Sequence, residues 1–144
     1  MSIKFWIGVA SKEHVESGIK LGICQFCHGK IRPAQRLQTC DFVIYYSPKV
    51  SISGKELYQK FTAIGKVTDA LPYQVNMGGG FMPYRRNIKY FNAKHVDIKP
   101  IVPILSFIKN KTCWGYTFRY GFLEIDQESF EVIANHMLGK NPLI

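Results

Sequence analysis

The sequence predicts an α+β fold in which a curved sheet or small barrel is flanked by helices. Segments rich in β-branched and aromatic residues outnumber the helical patterns, which are confined to the start, the late middle and the end of the chain. Strands and helices do not alternate as they do in a doubly wound fold. A chain of 144 residues forms one domain by default and buries about 70% of its unfolded surface. We therefore treat residues 1–144 as a single domain.

A strand followed by a helix begins the chain. Residues 3–10 are mostly β-branched, aromatic or small, which predicts a buried strand. Ser11 is a typical N-cap residue, so a helix is expected from there to about Lys20. Gly22 ends that helix.

The next segment predicts a short strand, a short helix and a central strand. Residues 23–28 alternate loosely between apolar and polar, as a short strand does. Pro33 fits the first turn of a helix that runs through residue 37. Residues 41–47 form a strongly apolar run, which predicts a central strand stopped by Pro48.

The middle of the chain is rich in strand signals. Residues 61–68 have a strand-like composition, and Gly65 within them suggests a bulge. Residues 73–75 predict a further short strand, and the Met-Gly-Gly-Gly sequence at 77–80 predicts a turn. Residues 84–91 alternate well enough for another strand.

The last third predicts two helices around a final strand. Residues 98–108 are expected to be helical, with two prolines in the first turns, and residues 109–119 to be irregular. Residues 120–125 predict the last strand, after which Asp126 caps a helix over residues 128–138. The buried stripe of that helix comprises Phe130, Ile133, Ala134 and Met137.

The charge of the chain points to a polyanionic partner. It has 19 Lys+Arg against 10 Asp+Glu, for a formal net charge of +9. Residues 81–119 contain eight of the basic residues, one acidic residue and eight aromatic residues. Cations that contact phosphates, interleaved with rings that stack on bases, suit single-stranded nucleic acid or extruded bases. The alternative is a solvent-exposed sheet face backed by an aromatic core.

One cysteine pattern is typical of sites that hold a metal or cofactor, but we expect neither here. Cys24, Cys27 and His28 form a Cys-x-x-Cys-His sequence, as in haem attachment, zinc sites or redox motifs. Haem attachment would need an export signal, which is missing. A strong zinc motif would have a second Cys-x-x-Cys, which is also missing, although Cys40 or Cys113 could contribute a ligand. A redox motif would lie at a strand-to-helix junction, whereas this pair lies in a predicted strand. We interpret the cysteines as small apolar residues and expect no metal and no cofactor.

The sequence contains no recognisable catalytic motif. It has no Gly-x-Ser-x-Gly elbow, His-Glu-x-x-His or P-loop, and Asp126 and Glu128 are better explained by helix capping. We therefore expect a protein that is not an enzyme. The alternative is a small hydrolase or metalloprotein acting on a nucleotide-like ligand, which predicts that His14 or His28 meets a carboxylate such as Glu13 in a pocket.

The compartment is expected to be the cytoplasm. The first apolar run is too short, and too soon followed by Ser11, Lys12 and Glu13, for a signal peptide. No stretch approaches the ~20 apolar residues of a membrane span. We expect reduced thiols and no association with a membrane.

Several short segments together resemble an EVE domain in their order and spacing. They are Trp-Ile-Gly-Val-Ala-Ser at 6–11, Cys-His-Gly-Lys at 27–30, Asp-Phe-Val-Ile-Tyr-Tyr-Ser-Pro-Lys at 41–49, Phe-Thr-Ala-Ile-Gly at 61–65, Phe-Met-Pro-Tyr-Arg-Arg at 81–86, Ser-Phe-Ile-Lys at 106–109 and Trp-Gly-Tyr-Thr-Phe-Arg at 114–119. The match spans about residues 4–138 and is similar to the stand-alone prokaryotic branch. Cys40 stands where related sequences usually have Gly.

The resemblance implies a PUA-like fold, related to the YTH and ASCH domains, and binding to nucleic acid. Related domains hold a modified base, such as a methylated cytosine or adenine, in an aromatic-lined pocket. EVE domains are regarded as readers rather than catalysts. We therefore expect a non-catalytic module that reads a modified or flipped base in DNA or RNA, in an aromatic pocket with a basic rim.

The resemblance, carried over position by position, and the basic residues of segment 81–119 together give the candidate residues. The base pocket is expected to contain Trp6, Ser11, Tyr46, Ser47, Phe107 and Trp114. The phosphate-binding residues are expected to be Lys49, Arg85, Arg86, Lys109, Lys111 and Arg119. The rings would stack on the base, and the two serines would read its edges by hydrogen bonds.

Overall fold

The computed structural model describes residues 2–144. A strongly curled sheet of eight strands forms the centre of the fold. The strands are β1 (Phe5–Val9), β2 (Ile23–Cys24), β3 (Phe42–Lys49), β4 (Leu57–Val67), β5 (Tyr73–Gln74), β6 (Tyr84–Tyr90), β7 (Val96–Asp97) and β8 (Phe122–Ile125), and the α-helices are α1 (Lys12–Leu21), α2 (Ile31–Arg36) and α3 (Gln127–Leu138). Short 3₁₀ helices span Cys27–Gly29, Lys99–Ile104 and Trp114–Phe118. The predicted α+β class, a half-barrel sheet with flanking helices, is confirmed.

The topology brings the ends of two central strands to one edge. The strand order is β2-β6-β4-β3-β1-β8, with β5 beside β6 and β7 beside β4. β1 and β3 are parallel, which requires a crossover connection, here made of α1, β2 and α2. The segments that follow β1 and β3 are therefore neighbours: Ala10 donates its N–H to the carbonyl of Tyr46 at 3.1 Å, and Glu13 donates to Val50 at 3.0 Å.

The helix ends follow the predicted capping residues. Ser11 accepts a hydrogen bond from the backbone N–H of His14 at 3.2 Å. Asp126 accepts one from the backbone N–H of Ser129 at 2.9 Å and so begins α3. Gly22 ends α1 with a φ of 68°, a left-handed conformation that glycine adopts without steric cost.

The two faces of the sheet bury separate apolar clusters. On the face that packs against α3, which we call the α3 face, the cluster includes Phe42, Ile44, Tyr46 and the buried stripe of α3. On the opposite face, which we call the α1 face, it includes Trp6, Val15, Val43, Tyr45 and Phe122. The alternation of Val43, Ile44, Tyr45 and Tyr46 between the clusters is the period-2 pattern of a strand buried on both sides.

Two predicted details of the central strands are wrong. Pro48 does not stop β3, because the pairing register shifts between Ser47 and Lys49 and an irregular position tolerates a residue without an N–H. The bulge on β4 lies at Thr62 rather than Gly65, since Tyr45 pairs with Ala63 but Tyr46 pairs with Phe61. Gly65 instead permits close approach of β6: a Cβ there would lie 2.8 Å from the carbonyl oxygen of Lys89.

Three predicted segments are also shorter or different in type. The strand predicted over residues 23–28 ends at Cys24, because Cys27 and His28 adopt left-handed φ values of 51° and 61°. The helix predicted over residues 98–108 is a 3₁₀ helix, Lys99–Ile104, since its prolines lack the N–H groups that a continuous α-helix needs. The irregular segment 109–119 contains the 3₁₀ helix Trp114–Phe118.

Cys40 adopts a left-handed backbone conformation that favours glycine. Its φ is 76°, in the left-handed region that side chains with a Cβ rarely occupy. The turn is held by its neighbours, since Cys40 donates its N–H to Val67 at 2.9 Å and Asp41 donates to Gln38 at 3.0 Å.

Candidate functional site

A cleft of about 720 Å³ lies at the edge where β1 and β3 end. Its walls come from Ser11 after β1, from the turn that follows β2, from Pro48 and Lys49 at the end of β3, and from residues 119–121 before β8. The cleft therefore lies over the edge that the parallel pairing of β1 and β3 creates.

A smaller cavity of about 260 Å³ adjoins the cleft, and we call it the inner cavity. His14, Gln25 and Phe81 line both spaces. Tyr45 of the α1 face and Arg85 of β6 line the inner cavity alone. Tyr45 is fixed there because its hydroxyl is paired with the backbone of Gln25, at 3.1 Å to the nitrogen and 3.2 Å to the oxygen.

A strained turn forms one wall of the cleft. Cys27, His28 and Gly29 have successive left-handed φ values of 51°, 61° and 79°. Gly29 cannot be replaced without movement, since a Cβ there would lie 2.2 Å from the Cβ of Pro83. The Cys27 thiol donates a hydrogen bond to the carbonyl of Tyr120 at 3.3 Å, which ties this wall to the opposite one. Left-handed non-glycine residues cost of order 1–3 kcal/mol each and cluster at binding sites.

The charged side chains on the described walls are basic. Lys30, Lys49 and Arg119 line the cleft and Arg85 lines the inner cavity, whereas no described lining residue is Asp or Glu. Arg85 is oriented by donating from Nε to Oε1 of Gln25 at 2.9 Å. Lys49 donates to the carbonyl of Ile52 at 3.1 Å. The arrangement is suited to an anionic ligand.

His14 is a titratable group shared by both spaces. Its pKa is lowered from the ordinary 6.5, first because part of the ring is removed from water, and further by the positive charges of Arg85 and His28; a hydrogen bond with the backbone of Gln25 partly opposes these effects. The imidazole is therefore neutral at pH 7, with one nitrogen that donates and one that accepts.

Four of the sequence-predicted residues come together at this site. Ser11, Lys49 and Arg119 line the cleft, and Arg85 lines the inner cavity. They come from four separate segments of the chain, which the crossover between β1 and β3 and the antiparallel β6 bring to one edge.

Trp6 is not at the cleft. It is 1% exposed, its ring stacks on Phe122 at a centroid distance of 4.9 Å, and its indole N–H donates to Oδ2 of Asp41 at 2.9 Å. Both its ring and its polar atom are therefore used inside the protein. The expectation that Trp6 stacks on a base is corrected: it is a core residue of the α1 face.

The remaining predicted pocket residues also lie away from the cleft. Tyr46 is buried on the α3 face, where its ring stacks on Phe118 at 4.5 Å. Phe107 and Trp114 are half-buried and pack against the same cluster. Ser47 is fully buried, with its hydroxyl 2.7 Å from that of Thr62. Of the two neighbouring tyrosines, Tyr45 lines the inner cavity and Tyr46 does not.

Two of the predicted phosphate-binding residues, Arg86 and Lys111, make hydrogen bonds within the protein. Arg86 is 1% exposed; it forms a salt bridge from Nε to Oδ1 of Asp69 at 2.7 Å and donates to the carbonyls of Ala34 and Leu37. Lys111 donates to the carbonyls of Val102 and Leu105, at 3.2 and 2.7 Å, and so satisfies the end of a 3₁₀ helix. Lys109 is exposed but does not line the cleft.

The sequence-based assignment missed several residues that line the cleft. The residues not assigned to the site are Gln25, Lys30, Phe81 and Tyr120. Two of them, Phe81 and Tyr120, follow a recognisable sequence feature. Phe81 follows three consecutive glycines at 78–80, all with positive φ and open space around them. Tyr120 follows Arg119 directly. An aromatic residue next to a flexible or basic loop segment is the signal that could have identified both.

The cysteines are free thiols, and burial favours the protonated form of two of them, Cys24 and Cys27. Burial raises the pKa of the Cys24 thiol to about 12 and raises that of Cys27 as well. Within the described part of the chain, no three His, Cys, Asp or Glu side chains are grouped so that they could hold a metal ion. Among residues 2–144, none of the helices has the length and apolar character that a bilayer crossing requires.

The curled half-barrel, its parallel β1–β3 pair and the cleft at the ends of these strands define a PUA-like domain. The resemblance in fold extends to solved structures of low sequence identity. A protein of Rhodopseudomonas palustris solved by NMR matches with a TM-score of 0.58 and 12% identity, over 93% of this chain and 92% of its own. A crystal structure from Agrobacterium tumefaciens matches with a TM-score of 0.57 and 13% identity, over 96% of this chain and 99% of its own.

The chain belongs to the EVE domain family, whose model matches residues 4–136. Its relatives are bacterial UPF0310 proteins of similar length. One from Bacillus licheniformis, described as "UPF0310 protein in gntR 5'region", is 46% identical over 89% of this chain and 87% of its own. Another, from Streptococcus sanguinis, is 40% identical over 96% of both chains. Family and fold are consistent with binding to nucleic acid.

Proposed function

We propose that the protein is a non-catalytic module that binds nucleic acid and reads a modified or flipped base in the cleft. The observation that carries the proposal is the convergence of Lys30, Lys49 and Arg119 with Phe81 and Tyr120 around one space. Basic groups beside exposed rings suit a polyanion that also carries flat bases.

The size of the cleft supports a ligand of nucleotide dimensions. Its volume of about 720 Å³ lies within the roughly 300–1,000 Å³ typical of ligand sites. The inner cavity, about 260 Å³, extends it toward the α1 face. We assign the base to the space beside Phe81 and the phosphates to the cations at the rim.

Polar groups on the walls supply hydrogen bonds for the edges of a base. Ser11 accepts from the backbone N–H of His14, and its hydroxyl proton remains available to donate. Gln25 accepts from Arg85 through Oε1, which leaves its amide NH₂ to donate. His14, neutral at pH 7, adds an acceptor nitrogen, since its ring N–H is used in the hydrogen bond with the backbone of Gln25. These three side chains replace the buried Ser47 in the predicted role.

The test is a binding screen under varied salt. Fluorescence anisotropy would be measured with short DNA and RNA strands that carry one methylated cytosine, one methylated adenine or the unmodified base, between about 50 and 200 mM salt. We expect tighter binding to one modified strand than to its unmodified counterpart. We also expect the logarithm of the affinity to fall linearly with the logarithm of the salt concentration.

Two matched substitutions locate the binding surface. Lys49→Gln should reduce the salt slope by about 0.7 for a single strand, because one phosphate contact is lost. Lys140→Gln removes an equal charge at an exposed position after α3 and should leave the slope unchanged. A slope equally sensitive to both substitutions, or equal affinity for all bases, would overturn the proposal.

A further inference from the structure

Two exposed tyrosines and an arginine form a distinct surface at one side of the cleft. Tyr116 is 65% exposed and Tyr120 is 74% exposed. The guanidinium carbon of Arg119 lies 3.8 Å from the ring centroid of Tyr116 and 4.4 Å from that of Tyr120. We call Tyr116, Arg119 and Tyr120 the aromatic platform. Single exposed aromatic residues are ordinary, but two that share one guanidinium beside a basic cleft are a stacking surface.

The backbone beneath the aromatic platform is anchored. Phe118, which lies between the two tyrosines in the sequence, is buried and stacks on Tyr46 on the α3 face. Gly121 donates to the carbonyl of Phe118 at 3.1 Å and accepts from the N–H of Val9 at 2.9 Å. The carbonyl of Tyr120 accepts from the Cys27 thiol. The platform therefore presents its rings from a fixed position, which lowers the entropy lost when a ligand stacks on them.

The aromatic platform is continuous with the cleft. Arg119 and Tyr120 also line the cleft, whereas Tyr116 lies beyond its lining residues. Within the described residues the guanidinium of Arg119 donates one hydrogen bond, from Nη1 to the carbonyl of Tyr116 at 2.8 Å. A guanidinium has five N–H donors, so others remain for a phosphate oxygen that passes between the cleft and Tyr116.

We propose that the aromatic platform is a second subsite, which stacks the base next to the one held in the cleft. The inference rests on the proposed function and specifies its ligand. A ring can stack only on a base whose face is free, and in a duplex both faces are covered by neighbouring base pairs. The ligand is therefore single-stranded on at least one side of the recognised base.

Abasic substitution tests the second subsite directly. The probes are fluorescein-labelled single strands of DNA and RNA with one central methylated cytosine, either intact or with an abasic site on its 5′ or 3′ side. One of the two abasic positions should weaken binding by about 5-fold or more, the loss of one stacked base. Tyr116→Ala or Tyr120→Ala should weaken binding of the intact probe by a similar factor, and should have little further effect on that abasic probe.

The controls separate the stacking role from other causes. Tyr120→Phe retains the ring and should retain affinity. Leu71→Ala truncates a side chain that is also 74% exposed and should change nothing. If Lys49→Gln weakens binding while the abasic sites and Tyr116→Ala do not, the second subsite is refuted and the proposed function stands. If Lys49→Gln has no effect but Tyr116→Ala does, the binding surface lies at the platform and the cleft function fails. If no strand binds, both fail.

Discussion

The packed interior of the sheet and the wall of the cleft both contain arginines and aromatic residues, but those of the interior are enclosed by the protein and those of the wall can be reached by a ligand. Arg86 is enclosed and paired with Asp69, whereas its neighbour Arg85 lines the inner cavity. Trp114 packs against the α3 face, whereas Phe81 lies in the cleft on a glycine loop. In this fold, strand and 3₁₀ aromatics build the two cores, and loop residues supply most of the rings that a ligand can reach.

The comparison predicts its largest effect at the two arginines. Arg86→Met should reduce the free energy of unfolding by about 3–5 kcal/mol, because it leaves the Asp69 carboxylate and three backbone carbonyls without their partner. Arg85→Met should cost about 1 kcal/mol, the value of a typical hydrogen bond, and should lower affinity for single strands. Urea unfolding and anisotropy give both quantities. Equal destabilisation by the two substitutions would contradict the distinction.

The second test compares aromatic residues, beginning in the interior. Trp114→Ala should reduce stability by about 1.5–3 kcal/mol, since it exposes the apolar cluster that its half-buried ring covers. The affinity of the folded fraction should be unchanged. Trp114→Phe, which keeps a ring in place, should recover most of the stability. A stable Trp114→Ala protein that no longer binds would return Trp114 to the base pocket.

Phe81 is the counterpart at the cleft. It is 42% exposed and lines both the cleft and the inner cavity. Phe81→Ala should remove about 1–3 kcal/mol of stacking, or about 5- to 150-fold in Kd, with a change in stability within about 0.5 kcal/mol. Gly79→Ala, in the open turn before it, is the control for loop strain. A large loss of stability without loss of affinity would show Phe81 to be core.

Most of the fold could be predicted from the sequence because local signals decide it. Strand composition, the Ser11 and Asp126 caps, and the glycines that end helices act over a few residues. The errors lie where the decisive contact is distant. The bulge at Thr62 depends on the register between β3 and β4. The left-handed turn at residues 27–29 lies against Pro83 at Gly29 and is hydrogen-bonded to Tyr120 at Cys27.

The site was less predictable because it depends on which face a side chain takes. Neighbouring residues of a strand face opposite sides of the sheet. An error of one residue in the predicted alternation therefore places Tyr46, instead of Tyr45, on the face of the inner cavity. The same applies to Arg85 and Arg86, since nothing in the local sequence tells that Asp69 will pair with the second arginine. The loop residues Lys30 and Phe81 join the site only through the topology of the sheet.

The smallest effect expected is in the pH dependence, and it separates two histidines. His14 and His95 both have a pKa below 6.5, because burial disfavours the charged ring and nearby cations add to this. In each case the unfolded state binds more protons below pH 6.5, so stability is full above that value and falls as the pH is lowered. Of these two histidines, His14 lines the cleft, whereas His95 is hydrogen-bonded to Tyr58 elsewhere.

A phosphate bound in the cleft should favour the positively charged form of His14, but not that of His95. The bound anion favours the imidazolium, so affinity for a single strand should rise as the pH falls from 7.5 to 5.5, by less than about tenfold per pH unit for one proton. His14→Gln should abolish that rise. His95→Gln should weaken the pH dependence of stability and leave that of binding unchanged. Binding that is equally pH-dependent in both variants would mean that His14 does not contact the ligand, and that the cation lining alone sets the affinity.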